Sequence, residues 1–252
     1  MGAVYRQSRA FTSSDRSGSV GADMATDPIE FTVEVAGGST SARHFSAGTS
    51  APLLVLAHGA GSDQRHRFMV ATARRLCERG VSVVTFNFLY TEHKRRSPDR
   101  APILEATWTT VLEAVVARLT PRGTIAIGGK SMGGRIASQV AASKPGSDAW
   151  RRLGGLVLLG YPLHPPGQPQ KPRVAHLPAI EVPILLVQGT RDTFGTRVEI
   201  EPVFGALKTR VDYEFIEGGD HGFAVPKSSG HSEASILDRV ADRVAGWLTA
   251  LR

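Results

Sequence analysis

The sequence contains a single cysteine and no long apolar run, and both absences restrict what the protein can be. Cys77 is the only cysteine in 252 residues, so the chain cannot form an internal disulfide and suits a reducing cytoplasm. No stretch approaches the roughly 18 apolar residues that a membrane-spanning helix needs. We therefore expect a cytoplasmic protein without a membrane-spanning segment.

Lysine is also scarce. The chain has 6 lysines and 24 arginines, and its formal net charge is +7. This charge is spread along the sequence, and no basic stripe with interleaved aromatic residues is present, which argues against nucleic-acid binding. No cluster of His, Cys, Asp or Glu has metal-ligand spacing, and no phosphate-binding loop or dinucleotide fingerprint occurs. The sequence therefore predicts neither a metal nor a cofactor.

The first 27 residues differ in composition from the rest of the chain. Ser, Gly and Arg dominate them, they show little periodicity, and they lack the apolar core of a secretory signal. We predict that residues 1–27 form a disordered tail, with Met24 as an alternative start of translation. Residues 28–252 are predicted to form one domain, long enough to bury a sizeable core.

Apolar runs of strand length alternate with helical patterns along this domain. Continuous runs such as 53–57 indicate strands buried on both faces of a sheet, and residues 103–119 have the spacing of an amphipathic helix. The predicted fold class is α/β, with a doubly wound, mostly parallel sheet of about eight strands and an antiparallel N-terminal hairpin. The predicted strands are residues 29–35, 41–45, 53–57, 81–86, 124–127, 156–160, 184–187 and 211–216, and further helices are predicted at 67–79 and 233–251.

A G-x-S-x-G pattern lies between a predicted strand and a predicted helix. Residues 129–133 read GKSMG, with a β-branched run before them and an alanine-rich helical pattern after them. In this context the pattern predicts a tight turn that projects Ser131 above the sheet as a nucleophile. The alternative is an ordinary glycine-rich turn.

A serine nucleophile needs a general base, and the base needs an acid to orient it. Asp192 and His221 each follow a predicted strand, and the carboxyl ends of parallel strands gather at one edge of the sheet. The sequence therefore predicts a catalytic triad of Ser131, His221 and Asp192. Asp220, directly before His221, and Glu217 are weaker candidates for the orienting acid.

An acyl-transfer site also needs backbone donors for the oxyanion. The N–H of Met132, directly after the nucleophile, is one candidate. Residues 58–61 read HGAG and follow a predicted strand, so the N–H of Ala60 is the second. His58 is expected either to hold this loop by hydrogen bonds, which we favour, or to contact substrate.

Six motifs stand in order along the domain: HGAG (58–61), FNFLYTE (86–92), GKSMGGR (129–135), GYPLHPPG (160–167), QGTRDTFG (188–195) and GGDH (218–221). Together they resemble those of the α/β-hydrolase superfamily, on its dienelactone-hydrolase-like side. The chain is also similar to a branch of small hydrolase-like proteins named for a testis-expressed protein and for a subunit of a histone-acetylating complex. Dienelactone hydrolases proper use a cysteine where this chain has Ser131, so the resemblance implies the fold and hydrolytic chemistry rather than their substrate.

The substrate side of the site is less defined by sequence. Seven of residues 161–183 are proline, which predicts a short rigid loop, an open cleft and no large cap domain. Tyr161 in this loop and Arg135 after the nucleophile are candidate substrate contacts. Arg135, Arg65 and the basic segment 90–96 are predicted either to form a cationic rim for a substrate carboxylate or to be solvated charges, with Arg135 paired to a carboxylate such as Glu92.

The leading functional prediction is a serine hydrolase that cleaves a carboxylic ester or thioester of a small molecule, neutral or anionic, without a cofactor. Two alternatives stay open. One is a non-catalytic interaction module, which the likeness to a chromatin-complex subunit suggests, and the other is a peptidase. We expect a monomer or a homodimer.

Overall fold

A computed structural model describes residues 27–251, and its central feature is one eight-stranded sheet. The strand order is β1-β2-β4-β3-β5-β6-β7-β8. Strand β2 pairs antiparallel with both β1 and β4, and every other pairing is parallel. The strands are β1 (Ile29–Val35), β2 (Gly38–Phe45), β3 (Leu53–Ala57), β4 (Ser82–Phe86), β5 (Ile125–Lys130), β6 (Leu153–Leu159), β7 (Ile184–Gly189) and β8 (Val211–Ile216).

The predicted fold class, including the antiparallel N-terminal hairpin, is therefore confirmed. Residues 1–26, which hold most of the predicted tail and the alternative start at Met24, lie outside the described residues. Within residues 27–251, no helix combines the length and the apolar character that crossing a membrane requires.

Helices cover both faces of the sheet. Side chains alternate along a strand, so Leu54 of β3 packs in the cluster that contains Met69 and Trp247, whereas Val55 packs in the cluster that contains Trp108. Two separate cores result, one on each face. The helices are α1 (Arg67–Glu78), α2 (Leu89–Glu92), α3 (Ala101–Leu119), α4 (Met132–Ser143), α5 (Asp148–Arg151), α6 (Arg197–Gly205) and α7 (Glu233–Ala250).

Several elements differ from the sequence prediction, and the short helices α2 and α5 were not predicted. Strand β2 begins at Gly38, three residues earlier than predicted, and β5 extends to Lys130 instead of ending at residue 127. Strand β6 begins at Leu153, three residues earlier than predicted, because glycines at its start weaken the apolar pattern. One of these, Gly155, packs so closely on α7 that a Cβ there would lie 2.8 Å from the ring of Trp247. Helix α6 was not predicted, since Pro202 interrupts its pattern, although Thr196 forms a capping box at its start.

The loop between β6 and β7 contains only one short 3₁₀ turn, Leu177–Ala179. The prediction that no helical cap is inserted here is therefore confirmed. Since no cap covers the carboxyl edge of the parallel strands, the loops at that edge border an open cleft.

Candidate active site

Ser131 lies in a strained turn between β5 and α4. Its φ of 52° and ψ of −117° are values that L-residues rarely adopt. The turn is possible because its flanking glycines approach other backbone very closely. A Cβ at Gly129 would lie 2.5 Å from the carbonyl carbon of Gly133, and a Cβ at Gly133 would lie 2.4 Å from the oxygen of Ala57. No larger residue fits at either position.

The structure brings Ser131, His221 and Asp192 into one hydrogen-bonded series. The Oγ of Ser131 lies 2.8 Å from Nε2 of His221, and Nδ1 of the same ring lies 2.7 Å from Oδ2 of Asp192. The three residues come from the ends of β5, β7 and β8, whose order in the sheet explains why they meet. The arrangement allows the imidazole to accept a proton from Ser131 while its other nitrogen donates to Asp192.

Asp192 is completely buried, and its carboxylate accepts three hydrogen bonds. Besides His221, the N–H of Phe194 donates to Oδ1 (2.8 Å) and the side-chain amide of Gln188 donates to Oδ2 (2.8 Å). The ring of Phe194 also lies 4.2 Å from the ring of His221, centroid to centroid. Sequence reasoning missed both roles, although Gln188 and Phe194 stand in the same motif as Asp192.

The rival orienting acids bond elsewhere. The Oδ1 of Asp220 accepts hydrogen bonds from the N–H groups of Gly222 (2.7 Å) and Ala224 (2.9 Å), so this side chain holds the turn that carries His221. The carboxylate of Glu217 accepts a hydrogen bond from the hydroxyl of Thr190 (3.3 Å).

The two expected oxyanion donors border the same space as Ser131. Within residues 27–251, the N–H groups of Ala60 and Met132 donate to no other group. Met132 opens α4, where backbone N–H groups have no partner within the helix. The loop with Ala60 packs directly on the nucleophile, because a Cβ at Gly59 would lie 3.5 Å from the Cβ of Ser131.

His58 is hydrogen-bonded to the loop that carries Ala60. Its Nε2 accepts a hydrogen bond from the N–H of Phe88 (3.2 Å), which assigns the ring proton to Nδ1, 2.8 Å from the oxygen of Gly59. A trans peptide points its carbonyl and its N–H in opposite directions, so this bond directs the N–H of Ala60 away from the imidazole. Burial lowers the pKa of His58, against smaller opposing effects of the Gly59 oxygen and nearby carboxylates, which favours the neutral ring.

Two of the expected substrate contacts lie beneath the cleft instead of lining it. His58 has no exposed surface, and Tyr161 is 1% exposed. Their polar groups are used internally, since the Tyr161 hydroxyl donates to the carbonyl of Arg173 (2.6 Å) and its N–H donates to Gln188 (2.7 Å). Burial raises the pKa of Tyr161 and keeps the phenol neutral. These contacts make both residues supports of the site.

The cleft above Ser131, which we call the Ser131 cleft, has a volume of about 680 Å³. This is within the range of small-molecule sites. Ala60, Met132, His221 and Phe194 all line it. In residues 27–251, no group of three or more His, Cys, Asp or Glu side chains is arranged to hold a metal ion.

The cationic groups of the cleft differ from those expected. Arg135 lines it, but Arg65 instead pairs with Glu30 at 2.8 Å, and residues 93–96 are exposed outside the lining. Glu92, the suggested partner of Arg135, bonds to the backbone and hydroxyl of Ser41.

Arg173 lines the cleft beside Arg135, and no sequence pattern pointed to it. The proline-rich loop that carries it shows neither strand nor helix periodicity, so its path was not predictable.

A further cation, Lys130, stands directly before Ser131. Its Nζ donates to the carbonyl oxygen of His221 at 2.5 Å and lies 5.3 Å from the ring centroid of Phe223. Burial lowers the pKa of this ammonium to about 8, against the opposing fields of Asp192 and Asp220. Sequence reasoning did not assign Lys130 a role, although its position inside the G-x-S-x-G pattern was a signal.

Comparison with known proteins agrees with this architecture. Residues 50–249 match the sequence profile of the family described as "Alpha/beta hydrolase domain". A dienelactone hydrolase from Anabaena variabilis superposes with a TM-score of 0.69 at 20% identity, covering 90% of this chain and 100% of that one.

Two further solved structures are similar. An α/β serine hydrolase without a lid from Xanthomonas campestris has a TM-score of 0.68 at 18% identity, with 91% and 99% coverage of this chain and that one. A cold-adapted esterase from an Arctic intertidal metagenomic library has a TM-score of 0.65 at 19% identity, with 90% and 96% coverage. At these identities the likeness establishes the α/β-hydrolase fold.

Proposed function

Because the chain belongs to the α/β-hydrolase domain family, we propose that it is a serine hydrolase that cleaves a carboxylic ester or thioester of a small molecule. The observation that carries this proposal is the hydrogen-bonded series of Ser131, His221 and Asp192 at the floor of an open cleft. The esterase and the dienelactone hydrolase among the similar structures support the reaction class.

In the proposed reaction, Ser131 Oγ attacks the substrate carbonyl while Nε2 of His221 takes the hydroxyl proton. Asp192 holds the ring in the tautomer that leaves Nε2 free to accept, and it stabilises the imidazolium that forms. The imidazolium then gives its proton to the departing alcohol or thiol, and the acyl group stays on Ser131. Water attacks this acyl-enzyme with His221 again as base, which releases the acid and restores the serine.

The N–H groups of Met132 and Ala60 are the proposed donors to the oxyanion in both halves of the reaction. Both are free of other partners in the described part of the chain, and a donor held in place before the reaction needs no reorganisation during it. Removal of one such donor typically lowers kcat by about 10² to 10³.

The test is labelling with a fluorophosphonate, which reacts with activated serines. We expect wild type to be labelled and Ser131→Ala not to be. The matched control is Ser62→Ala, another serine that lines the cleft but has no contact with His221, and this variant should still be labelled. Labelling that persists in Ser131→Ala contradicts the assignment.

Hydrolysis assays, run beside the labelling, separate the alternative functions. A purified protein that neither reacts with the probe nor hydrolyses activated esters supports the non-catalytic interaction module, to which the narrower branch resemblance points. Cleavage of peptides at a rate above that of matched esters supports the peptidase.

A further inference from the structure

Two guanidinium groups converge in the Ser131 cleft from different elements. Arg135 lies on α4, four residues after Ser131, and Arg173 lies in the loop between β6 and β7. Burial lowers the pKa of Arg135, and the positive charge of Arg173 lowers it further, because the two groups are close in a partly buried space. Like charges held together in this way are unfavourable unless an anion joins them.

Neither arginine forms an ion pair within residues 27–251. Nη1 of Arg135 donates to the side-chain oxygen of Gln139 at 3.1 Å, and its Nε is buried with no hydrogen-bond partner in that range. Nη1 of Arg173 makes one long contact, 3.5 Å, to the carbonyl of Pro162. Glu105 lies near enough for its charge to raise the pKa of Arg135, but it forms no ion pair with it. Buried guanidinium donors without a partner are unfavourable in a protein that has no ligand for them.

The other charged groups of the cleft have partners, but only its carboxylates are paired with an opposite charge. The carboxylate of Asp99 bonds to Arg95 at 2.6 Å, and that of Glu233 lies 3.5 Å from Arg67. Lys130 directs its ammonium to the His221 carbonyl. In residues 27–251, Lys130 and the two arginines therefore carry positive charge in the cleft without a salt bridge, and only the arginines keep guanidinium donors without a close partner.

The pair is also held in position before any ligand binds. The N–H of Arg173 donates to the oxygen of Leu163 at 2.7 Å, and its own carbonyl accepts from the Tyr161 hydroxyl at 2.6 Å. This explains why a fully buried tyrosine stands under the cleft. Arg135 is held by the helix that begins at the nucleophile. Binding an anion here requires little ordering of the backbone.

We propose that Arg135 and Arg173 form a carboxylate-binding site within the Ser131 cleft, so that the preferred substrate is an ester bearing a second, free carboxylate. This inference rests on the proposed hydrolase function. Four residues of helix separate the Cα atoms of Arg135 and Ser131 by about 6 Å, so we expect the free carboxylate and the scissile carbonyl to be joined by a short carbon chain. The flat fork of a guanidinium matches a carboxylate through two parallel hydrogen bonds.

The kinetic test compares a neutral ester with an ester of equal size that ends in a carboxylate, such as a dialkyl ester and the half-ester of the same short diacid. We expect wild type to have the higher kcat/KM for the anionic ester, with the preference falling as salt screens the charge over about 10 Å at 0.1 M. In Arg135→Gln and Arg173→Gln the ratio of anionic to neutral kcat/KM should fall roughly 10- to 100-fold.

The matched control is Arg96→Gln, which removes an equal charge from an exposed residue outside the cleft lining and should leave the ratio unchanged. If Arg135→Gln does not fold, Arg173→Gln, which changes a loop residue outside the helices, carries the test alone. Equal kcat/KM for the two esters in wild type, or an equal fall of the ratio in Arg96→Gln, overturns the proposal.

A binding measurement separates this inference from the hydrolase proposal. In Ser131→Ala, succinate should raise the thermal unfolding midpoint, and Arg173→Gln in the same background should abolish the rise. That result supports the carboxylate site even if no ester is hydrolysed. Hydrolysis of neutral esters without any effect of succinate supports the hydrolase proposal and contradicts the carboxylate site. A larger rise with inorganic phosphate than with succinate also contradicts a carboxylate site.

Discussion

The ammonium of Lys130 donates a 2.5 Å hydrogen bond to the carbonyl oxygen of His221, so the residue before Ser131 is bonded to the residue whose ring contacts Ser131. Two hydrogen bonds thus join the end of β5 to the loop after β8. One is between the Lys130 ammonium and the His221 carbonyl, and the other is between the side chains of Ser131 and His221. The rings of Phe68 and Phe223 lie 5.9 and 5.3 Å from the same ammonium and shield it from water. We therefore infer that Lys130 holds the backbone that carries the imidazole and so positions the ring.

We expect Lys130→Met to lower kcat about tenfold, since a hydrogen bond to a charged donor is worth roughly 1.5–3 kcal/mol and its loss loosens His221. In wild type, kcat should fall as the pH rises through about 8, where the ammonium loses its proton and the bond to the carbonyl weakens. Lys130→Met should lack this alkaline decline. Lys130→Arg, which stays charged, should lack it too while retaining more of kcat, and a decline at the same pH in either variant contradicts the assignment.

Asp192→Asn should lower kcat by roughly 10⁴-fold while the protein stays folded. The amide keeps an acceptor for the N–H of Phe194, but its NH₂ group faces donors from both Gln188 and His221, which favours the wrong tautomer of the ring. Asp220→Asn is the matched control. Both of its hydrogen bonds go to one oxygen, which an amide retains, so its kcat should stay within a few-fold of wild type. A larger loss of kcat in Asp220→Asn than in Asp192→Asn would mean that Asp220, and not Asp192, orients the His221 ring.

His58→Ala should lower kcat roughly 10- to 100-fold with little change in KM, because the peptide between Gly59 and Ala60 loses the contact that fixes its orientation. His58→Asn keeps a donor near the position of Nδ1 and should recover part of kcat. Urea denaturation of both variants separates this effect from instability. An unchanged kcat in a folded His58→Ala would mean that the loop holds its orientation without the ring.

Stability should fall as the pH drops from about 6.5 toward 4. Burial, together with the charge of Arg135, lowers the pKa of His176 from its ordinary 6.5 to about 4, and burial also lowers those of His44 and His58. In this range the unfolded chain binds protons that the folded protein excludes, which favours unfolding. Urea denaturation across the range should show a shallower loss in His176→Gln than in wild type. His231→Gln, in an exposed loop, is the control with an unchanged slope.

The residues of the site that follow strands were predictable from the sequence. The end of a parallel strand places a residue at the carboxyl edge of the sheet, and its residue type indicates the chemistry it can perform there. Ser131, Asp192 and His221 each stand directly after an apolar run, and the parallel sheet brings such ends together. The order of the strands was not predicted, since the periodicity of a strand indicates which faces are buried and carries no information about its neighbours.

Residues that act through loops without periodicity were not predictable. Arg173 reaches the cleft only because the proline-rich loop folds back over α4, and no spacing in the sequence indicates that path. Tyr161 was predicted to contact substrate, yet its ring is buried and packs against Phe204. The basic part of the segment 90–96 was predicted to contribute to a cationic rim of the cleft. Residues 93–96 are instead exposed to solvent outside the cleft lining.

The backbone of Ser131 has a consequence for how the protein could be stabilised. A left-handed φ of 52° is unfavourable for serine by about 1 kcal/mol or more, whereas glycine adopts such angles readily. Ser131→Gly should therefore unfold at a higher urea concentration than Ser131→Ala, which keeps the strained turn and lacks the hydroxyl equally. The backbone strain at Ser131 thus lowers the stability of the folded protein at the position from which the proposed nucleophile projects.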